Sequence, residues 1–421
     1  MTAAAPPSAE VLLARAYLSR VAEPPTPGLA RLVLAVGPVE TAERVRRGTV
    51  PEEVAKETAA RRDVDRAAED LATAHACGAR ILTPEHGGWP HWAFAALDNV
   101  ALGRAGPAAV RDDVERDEAD SGRIADPTAA CPTSAGDRPT RGDLAPPLAL
   151  WVRGPGIAAQ LCDQAAALVG ARAATGYGLH VAGEFGAGLA AAGFTVVSGA
   201  AFGIDAAAHR GALAAGGPTI AVLACGIDRS YPAAHEALLG RIAATGLVLS
   251  EYPPGAVPAR HRFLVRNRLI AALAGGTVVV EAALRSGAQR TAADAQALGR
   301  PVLAVPGAVT SGQSAGCHRL IRDGAVLVTR IEEVLEEVGR IGFHLAEEPG
   351  SLRARPTDGL GPAATLVHDA LPARAARGVS WLAMESGLPL DAVRPALAEL
   401  ARRGLVEFGG GRWQRVVEQP P

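Results

Sequence analysis

The sequence predicts an α/β protein: a doubly wound sheet, preceded by a small helical domain and followed by a winged helix. Three observations carry that expectation. Seven short apolar runs between residues 165 and 328 alternate with Ala-rich amphipathic stretches, and the runs are continuous instead of alternating, as in strands covered by helices on both faces. Nearly every run closes on a small or polar residue with glycine close by, which suits tight βα turns at the carboxyl ends of parallel strands. Beyond residue 361 the pattern is helix, helix, helix and a Gly-turned hairpin at Gly409-Gly410-Gly411, the sequence form of a winged helix.

Length and composition agree. The 421 residues are 48% hydrophobic and 20% charged, enough for two or three domains with cores and unlike a mini-protein, a collagen or a disordered chain. Aromatic residues are only 4%, so the cores are expected to rest on Ala, Val and Leu at close backbone approach. Net charge is 42 − 44 = −2, so a polyanionic partner would need a local basic cluster. Lys56 is the one lysine, which leaves 41 of the 42 basic residues as arginine. The cysteines at 77, 131, 162, 225 and 317 form no Cys-x-x-Cys pair, against a disulfide framework or zinc ribbon. The first ten residues lack a secretory pattern and no run of about 18 apolar residues occurs, so a soluble, cytoplasmic protein without membrane contact is expected.

Each segment follows in order. Residues 1–85 carry Val11, Leu12, Leu13, Tyr17 and Leu18 at helical spacing, and the turn Ala35-Val36-Gly37-Pro38 resembles a helix-hairpin-helix unit, so an all-α domain is expected there. Residues 86–145 form a connector: an apolar cluster of Trp89, Trp92, Phe94 and Leu97, then a stretch at 105–143 with nine acidic and five basic residues, predicted to be a flexible insertion. Residues 146–340 hold the sheet, with strands expected at 165–170, 194–198, 219–224, 246–250, 276–281, 301–305 and 325–328, and helices such as 178–192, 204–216 and 288–298. A polar linker at 341–361 leads to the winged helix at 362–418, with helices at 363–371, 379–386 and 389–403.

Several residues could carry chemistry. Glycines at the strand ends (Gly170, Gly199, Gly203, Gly287, Gly307) allow positive φ and close approach to an anion, yet such loops also merely turn the chain. The segment Arg260-His261-Arg262-Phe263-Leu264-Val265-Arg266-Asn267-Arg268 has four arginines, an aromatic and no acid. It fits a single-strand-binding surface, and it equally fits a helix whose arginines pair with distant carboxylates. Asp205 and His209, at i and i+4, could face each other, although a helix-capping Asp and a structural His suit the same spacing. Glu281 ends a strand where a catalytic carboxylate would sit. No His or Cys cluster supports a metal, and no Gly-x-Ser-x-Gly elbow supports a serine hydrolase.

An ordered series of blocks resembles the bacterial DNA-processing protein A (DprA/Smf) family. It runs through Leu168-Val169-Gly170-Ala171-Arg172, Ser198-Gly199-Ala200-Ala201-Phe202-Gly203-Ile204-Asp205, Tyr231-Pro232, Ser250-Glu251-Tyr252-Pro253, Arg266-Asn267-Arg268-Leu269-Ile270 and Gly316-Cys317-His318-Arg319-Leu320-Ile321-Arg322-Asp323-Gly324. The resemblance implies an extended Rossmann-like fold without a nucleotide cofactor, a sterile-alpha-motif-like domain before it, and a non-catalytic role. That role is binding and protecting incoming single-stranded DNA in natural transformation, as a homodimer that loads RecA. Carried over by position, Arg172, Ser198, Gly199, Arg260 and Phe263 would line the DNA pocket, and Arg262, Arg266, Asn267 and Arg268 complete the expected nucleic-acid-binding set. The chain departs from the family at Phe202, where a basic residue is usual, and at His318, where the usual residue is Asn. Two alternatives stand beside this reading: a nucleotide phosphoribohydrolase-like enzyme using Glu281, and a duplex-binding regulator using the winged helix.

Overall fold

The computed structural model describes residues 6–102, 142–339, 357, 359–372 and 375–416. Nearly all of the acidic stretch at 105–143 and most of the 341–361 linker lie outside the described residues. The chain divides into two compact units, Met1–Ala346 and Glu347–Pro421.

The first unit opens with α1 (Ala9–Val21), α2 (Pro27–Val36), α3 (Pro38–Arg47), α4 (Glu52–Thr58) and α5 (Ala67–Ala76). Ser8 caps α1 by accepting the Val11 amide at 3.3 Å, and Tyr17, Leu18, Leu29 and Val45 form the buried seam. The all-α expectation for residues 1–85 needs correction, because a strand, β1 (Ala79–Leu82), follows α5 and pairs antiparallel with β2 (Leu150–Arg153). Four residues are too few to show a period, and the partner strand is distant in sequence. Helix α6 (His91–Ala101) buries Phe94 and Leu97 beneath the sheet.

Seven parallel strands follow: β3 (Ala165–Val169), β4 (Thr195–Ser198), β5 (Thr219–Leu223), β6 (Leu247–Ser250), β7 (Gly276–Val279), β8 (Val302–Ala304) and β9 (Val326–Leu327). All seven fall within the runs expected from the sequence. With β1 and β2 they make one nine-stranded sheet in the order β1-β2-β6-β5-β4-β3-β7-β8-β9. The helices between them are α7 (Ala158–Asp163), α8 (Gly176–Ala191), α9 (Ile204–Ala214), α10 (Glu236–Thr245), α11 (Arg260–Ala272), α12 (Gly287–Ala297), α13 (Ala315–Arg322) and α14 (Ile331–Val338). Along β3, Ala167 and Val169 join one hydrophobic layer while Ala166 and Leu168 join the other. Burial on both faces is why these strands read as unbroken apolar runs. Small residues let helices close in: a Cβ on Gly211 would run into the Gly183 carbonyl of α8.

The second unit contains α15 (Pro362–Ala370), α16 (Val379–Ser386), α17 (Leu390–Arg402) and the hairpin β10 (Val406–Gly409) with β11 (Arg412–Arg415). Val367, Leu382, Val393, Leu397 and Leu400 form its own core. Gly410 and Gly411, at φ +55° and +78°, supply the positive φ pair that a two-residue hairpin turn demands. Among the described residues, no helix is long and apolar enough to cross a membrane.

Candidate nucleic-acid interface

The strand order creates the site. From β3 the chain steps outward to β4, β5 and β6 on one side, then returns to start β7, β8 and β9 on the other. Loops leaving β3 and β7 therefore diverge, which opens a crevice at the carboxyl ends of the strands. A cavity of about 670 Å³ lies there, lined from the β3 loop, the first turns of α11 and the start of α12.

One wall is a stack of three side chains. Arg172, exposed at the end of the β3 loop, places its guanidinium carbon 5.1 Å from the Phe263 ring centre. Phe263 in turn leans on Tyr231, with centroids 5.4 Å apart and planes at 51°. Cation over ring and ring against ring each favour this arrangement, and both rings keep an edge toward the crevice. Arg260 opens α11 and stands exposed beside them.

The floor is positive and largely sealed. Arg266 and Asn267 are 4% and 7% exposed, yet both line the crevice. The Arg266 guanidinium donates to the Val222 carbonyl at the end of β5, and its Nε has no hydrogen-bond partner. Burial pushes the Arg266 pKa down to about 10, against the opposing pull of Asp205, so it stays charged at neutral pH. Burial raises the Asp205 carboxyl, opposed by Arg266 and by hydrogen bonds from the Ala201 and Gly199 amides at 3.4 and 3.2 Å. Asn267 donates from Nδ2 to the Gly287 carbonyl at 3.2 Å, tying α11 to the start of α12.

Of the nine residues expected to touch nucleic acid, the crevice brings together Arg172, Arg260, Phe263, Arg266 and Asn267. The other four lie elsewhere. Ser198 is fully buried and donates its hydroxyl to the Leu168 carbonyl at 2.6 Å, joining β4 to β3. Gly199 lies under the floor, where any Cβ would run into the Arg266 guanidinium. Arg262 turns away to Glu23 and covers the Tyr252 ring at 4.7 Å. Arg268 is sealed with Glu251 at 2.8 Å, their side chains 1% and 6% exposed. The basic segment thus divides between the two readings open to it. Helical periodicity sorts part of it, since Arg260, Phe263, Leu264 and Asn267 recur at i, i+3, i+4 and i+7 on the crevice side. Tyr231 belongs to the wall and was absent from the expected set; its signal was an aromatic residue in a strand-end loop.

Other candidates resolve into supports. Both oxygens of the buried Glu281 are engaged, accepting the Thr175 amide at 2.9 Å and the Thr175 hydroxyl at 2.6 Å, so the carboxylate fixes the start of α8. His209 does not pair with Asp205; its Nδ1 meets the Thr219 hydroxyl at 2.7 Å. The His318 ring joins the β8 loop at the Gly307 carbonyl, 3.0 Å away. No group of three or more metal-ligating side chains occurs among the described residues.

A mostly parallel sheet whose switch-point crevice is walled by arginine and aromatic side chains defines a protein of the Rossmann-like class. Residues 141–339 match the DNA recombination-mediator protein A family. A relative from Mycobacterium tuberculosis, provisionally named DNA processing protein DprA, is 50% identical over 399 residues, 95% of this chain and 93% of its own. Protein Smf of Escherichia coli is 43% identical over 179 residues, 42% of this chain and 48% of that protein. The X-ray structure of DprA from Streptococcus pneumoniae superposes with a TM-score of 0.56 at 27% identity, covering 78% of this chain and 98% of that one. The chain belongs to the DprA/Smf family of DNA-processing, recombination-mediator proteins.

Proposed function

We propose that this protein binds single-stranded DNA in the switch-point crevice, shields it, and passes it to RecA during transformation and recombination. The observation that carries the proposal is the stack of Arg172, Phe263 and Tyr231 beside Arg260, in a crevice where, among the described residues, the buried Asp205 is the only acidic one in the lining. Arg172 and Arg260 are placed to neutralise backbone phosphates, and Phe263 offers a ring on which an unpaired base stacks for about 1–3 kcal/mol. The bases of a duplex already stack on one another, so the ring discriminates in favour of single strands, and it does so with little regard to sequence. Arg266 adds positive potential from below without needing to touch the strand.

The flanking parts fit the same role. We assign the helical part of residues 1–85, ahead of β1, to a sterile-alpha-motif-like domain, 146–340 to the Rossmann-like DNA-binding domain and 362–418 to a winged helix, in a cytoplasmic homodimer. The exposed Arg394, Arg402 and Arg412 of the winged helix are diluted by Asp391 and Glu407, which favours a protein contact over tight duplex binding. A hydrolase built on Glu281 has little support, because both carboxylate oxygens are held by Thr175.

The test is a salt series of equilibrium binding to a fluorescent single strand of mixed sequence and to its duplex. A preference for the single strand, with affinity falling steeply as salt rises, is the expected result. Equal or absent binding at low salt would overturn the proposal. RecA loading is tested by whether the protein speeds RecA assembly on the strand.

A further inference from the structure

Arg172 borders a second hollow. It measures about 430 Å³, shares Arg172 and Ala173 with the crevice, and is walled by Phe202, Arg210, His235 and Leu179. Among the described residues, no Asp or Glu lines it. Phe202 is 48% exposed, and its ring lies 4.6 Å from the His235 ring at a tilt of 59°. Arg210 is exposed on α9 at the same hollow.

The loop that presents Phe202 is held in a costly conformation. Ala200 has φ +53°, the only positive φ at a non-glycine residue among those described. Such a residue costs on the order of 1 kcal/mol or more and persists only where its surroundings fix it. Three contacts fix it here. His235 donates from Nδ1 to the Ala200 carbonyl at 2.9 Å. Asp205 takes the amides on either side, from Gly199 and Ala201. Gly203, at φ +77°, sits so close to the Ala171 carbonyl that no side chain would fit. These constraints hold an apolar ring half in solvent between two arginines, where burial would be the cheaper course for a ring that only packs.

We propose that this hollow is a second base-stacking station for the same DNA strand, with Arg172 at the passage between the two. Phe202 receives a base on its free face, His235 backs the ring, and Arg210 meets a neighbouring phosphate. The strand is the occupant because the hollow continues the crevice, is lined by arginine without acid, and ends on a ring with an open face. The inference rests on the proposed single-strand binding and extends it.

The experiment is a length series of fluorescent oligothymidylates, from about four to about twenty nucleotides, bound to the full chain and its variants. Phe202→Ala and Phe202→Leu are expected to weaken binding of long oligonucleotides by about 5- to 150-fold, the value of one base stack, and to leave the shortest unchanged. Phe263→Ala is expected to weaken every length. Phe202→Tyr restores binding of the long oligonucleotides, and Arg210→Ala lowers their salt slope by about one. Unchanged binding of Phe202→Leu at every length overturns the second station, as does an equal loss at every length. If the parent protein binds no oligonucleotide at low salt, the single-strand reading itself fails, an outcome distinct from either.

Discussion

Glu23 and Arg262 meet at two points, Nε to Oε1 at 2.6 Å and Nη2 to Oε2 at 2.8 Å, joining the N-terminal helices to the first turn of α11. The same carboxylate accepts from Arg61 at 2.7 Å and lies 3.2 Å from the His261 ring. Burial alone would raise the Glu23 pKa, but the hydrogen bonds from Arg262 and Arg61 outweigh it and hold the carboxyl below its usual range. An arginine in a basic segment is thereby used to hold the helix that carries Arg260 and Phe263.

That division of labour is measurable through salt dependence. Arg172→Ala and Arg260→Ala are each expected to lower the slope of log affinity against log salt by about one, as the loss of one phosphate contact does. Arg262→Ala is expected to leave the slope unchanged while lowering stability by about 1–2 kcal/mol, since the partly buried Glu23 carboxylate loses two of its hydrogen bonds and keeps Arg61. Fluorescence titrations and urea denaturation read the two effects separately.

Gly199→Ala tests the floor. The added methyl would occupy the space of the Arg266 guanidinium, which itself holds the Val222 carbonyl. A loss of about 1–3 kcal/mol is expected from the overpacking, together with weaker single-strand binding as Arg266 is displaced. Denaturant midpoints and binding isotherms on one sample check both.

His209 gives the protein an acid-sensitive element. Its Nδ1–H donates to the Thr219 hydroxyl, which donates to the Val196 carbonyl at 2.6 Å, while Nε2 has no partner. Burial, with lesser repulsion from His235 and Arg266, drives its pKa down to about 3. An unfolded histidine titrates near 6.5, so between about pH 6.5 and pH 3 the unfolded chain takes up a proton that the native site refuses. Stability from this group is therefore complete above about pH 6.5 and lost at about 1.4 kcal/mol per pH unit below it. His209→Gln, which has no such proton, is expected to lose less stability than the parent between pH 6 and pH 4. Raised carboxylates such as Asp205 and Glu251 contribute equally to both proteins, so the difference between the two pH profiles isolates the histidine.

Glu281→Gln separates support from chemistry. The substitution keeps one acceptor for Thr175 and disturbs the other contact, so a loss of about 1–2 kcal/mol is expected, with single-strand affinity within about twofold of the parent. Thermal melts and binding isotherms check it, and a large loss of affinity would place Glu281 in the interface after all.

The seven parallel strands were legible because helices cover both faces, which turns each strand into an unbroken apolar run between glycine turns. The edge pair β1 and β2 was not. Each is four residues long; among the described residues β1 has its only strand partner in β2, across the 103–141 stretch, and β2 pairs on its other side with β6, about a hundred residues later. The candidate site was legible to the level of its segment. Composition identified the arginine-rich helix, but the partners that withdraw Arg262 and Arg268, Glu23 and Glu251, come from remote positions that charge patterning cannot pair. Ser198 and Gly199 lie beneath the crevice and outside its lining, which their motif could not show, because a motif records position and not which way a hydroxyl or a missing Cβ points. Tyr231 and Phe202 enter through loops after different strands, and only the folded sheet brings them beside Arg172.

Taken mechanically, α11 is a beam clamped twice: Glu23 grips Arg262 near its start and Glu251 grips Arg268 further along. A beam held at two points on different sides cannot roll, so the face bearing Arg260, Phe263 and Asn267 keeps one azimuth whether or not anything lies against it. On the proposed single-strand reading, entry of a strand involves no turning of α11. Capture is then expected to be limited by encounter, with a rate that follows the concentration of free single strand instead of an internal clock.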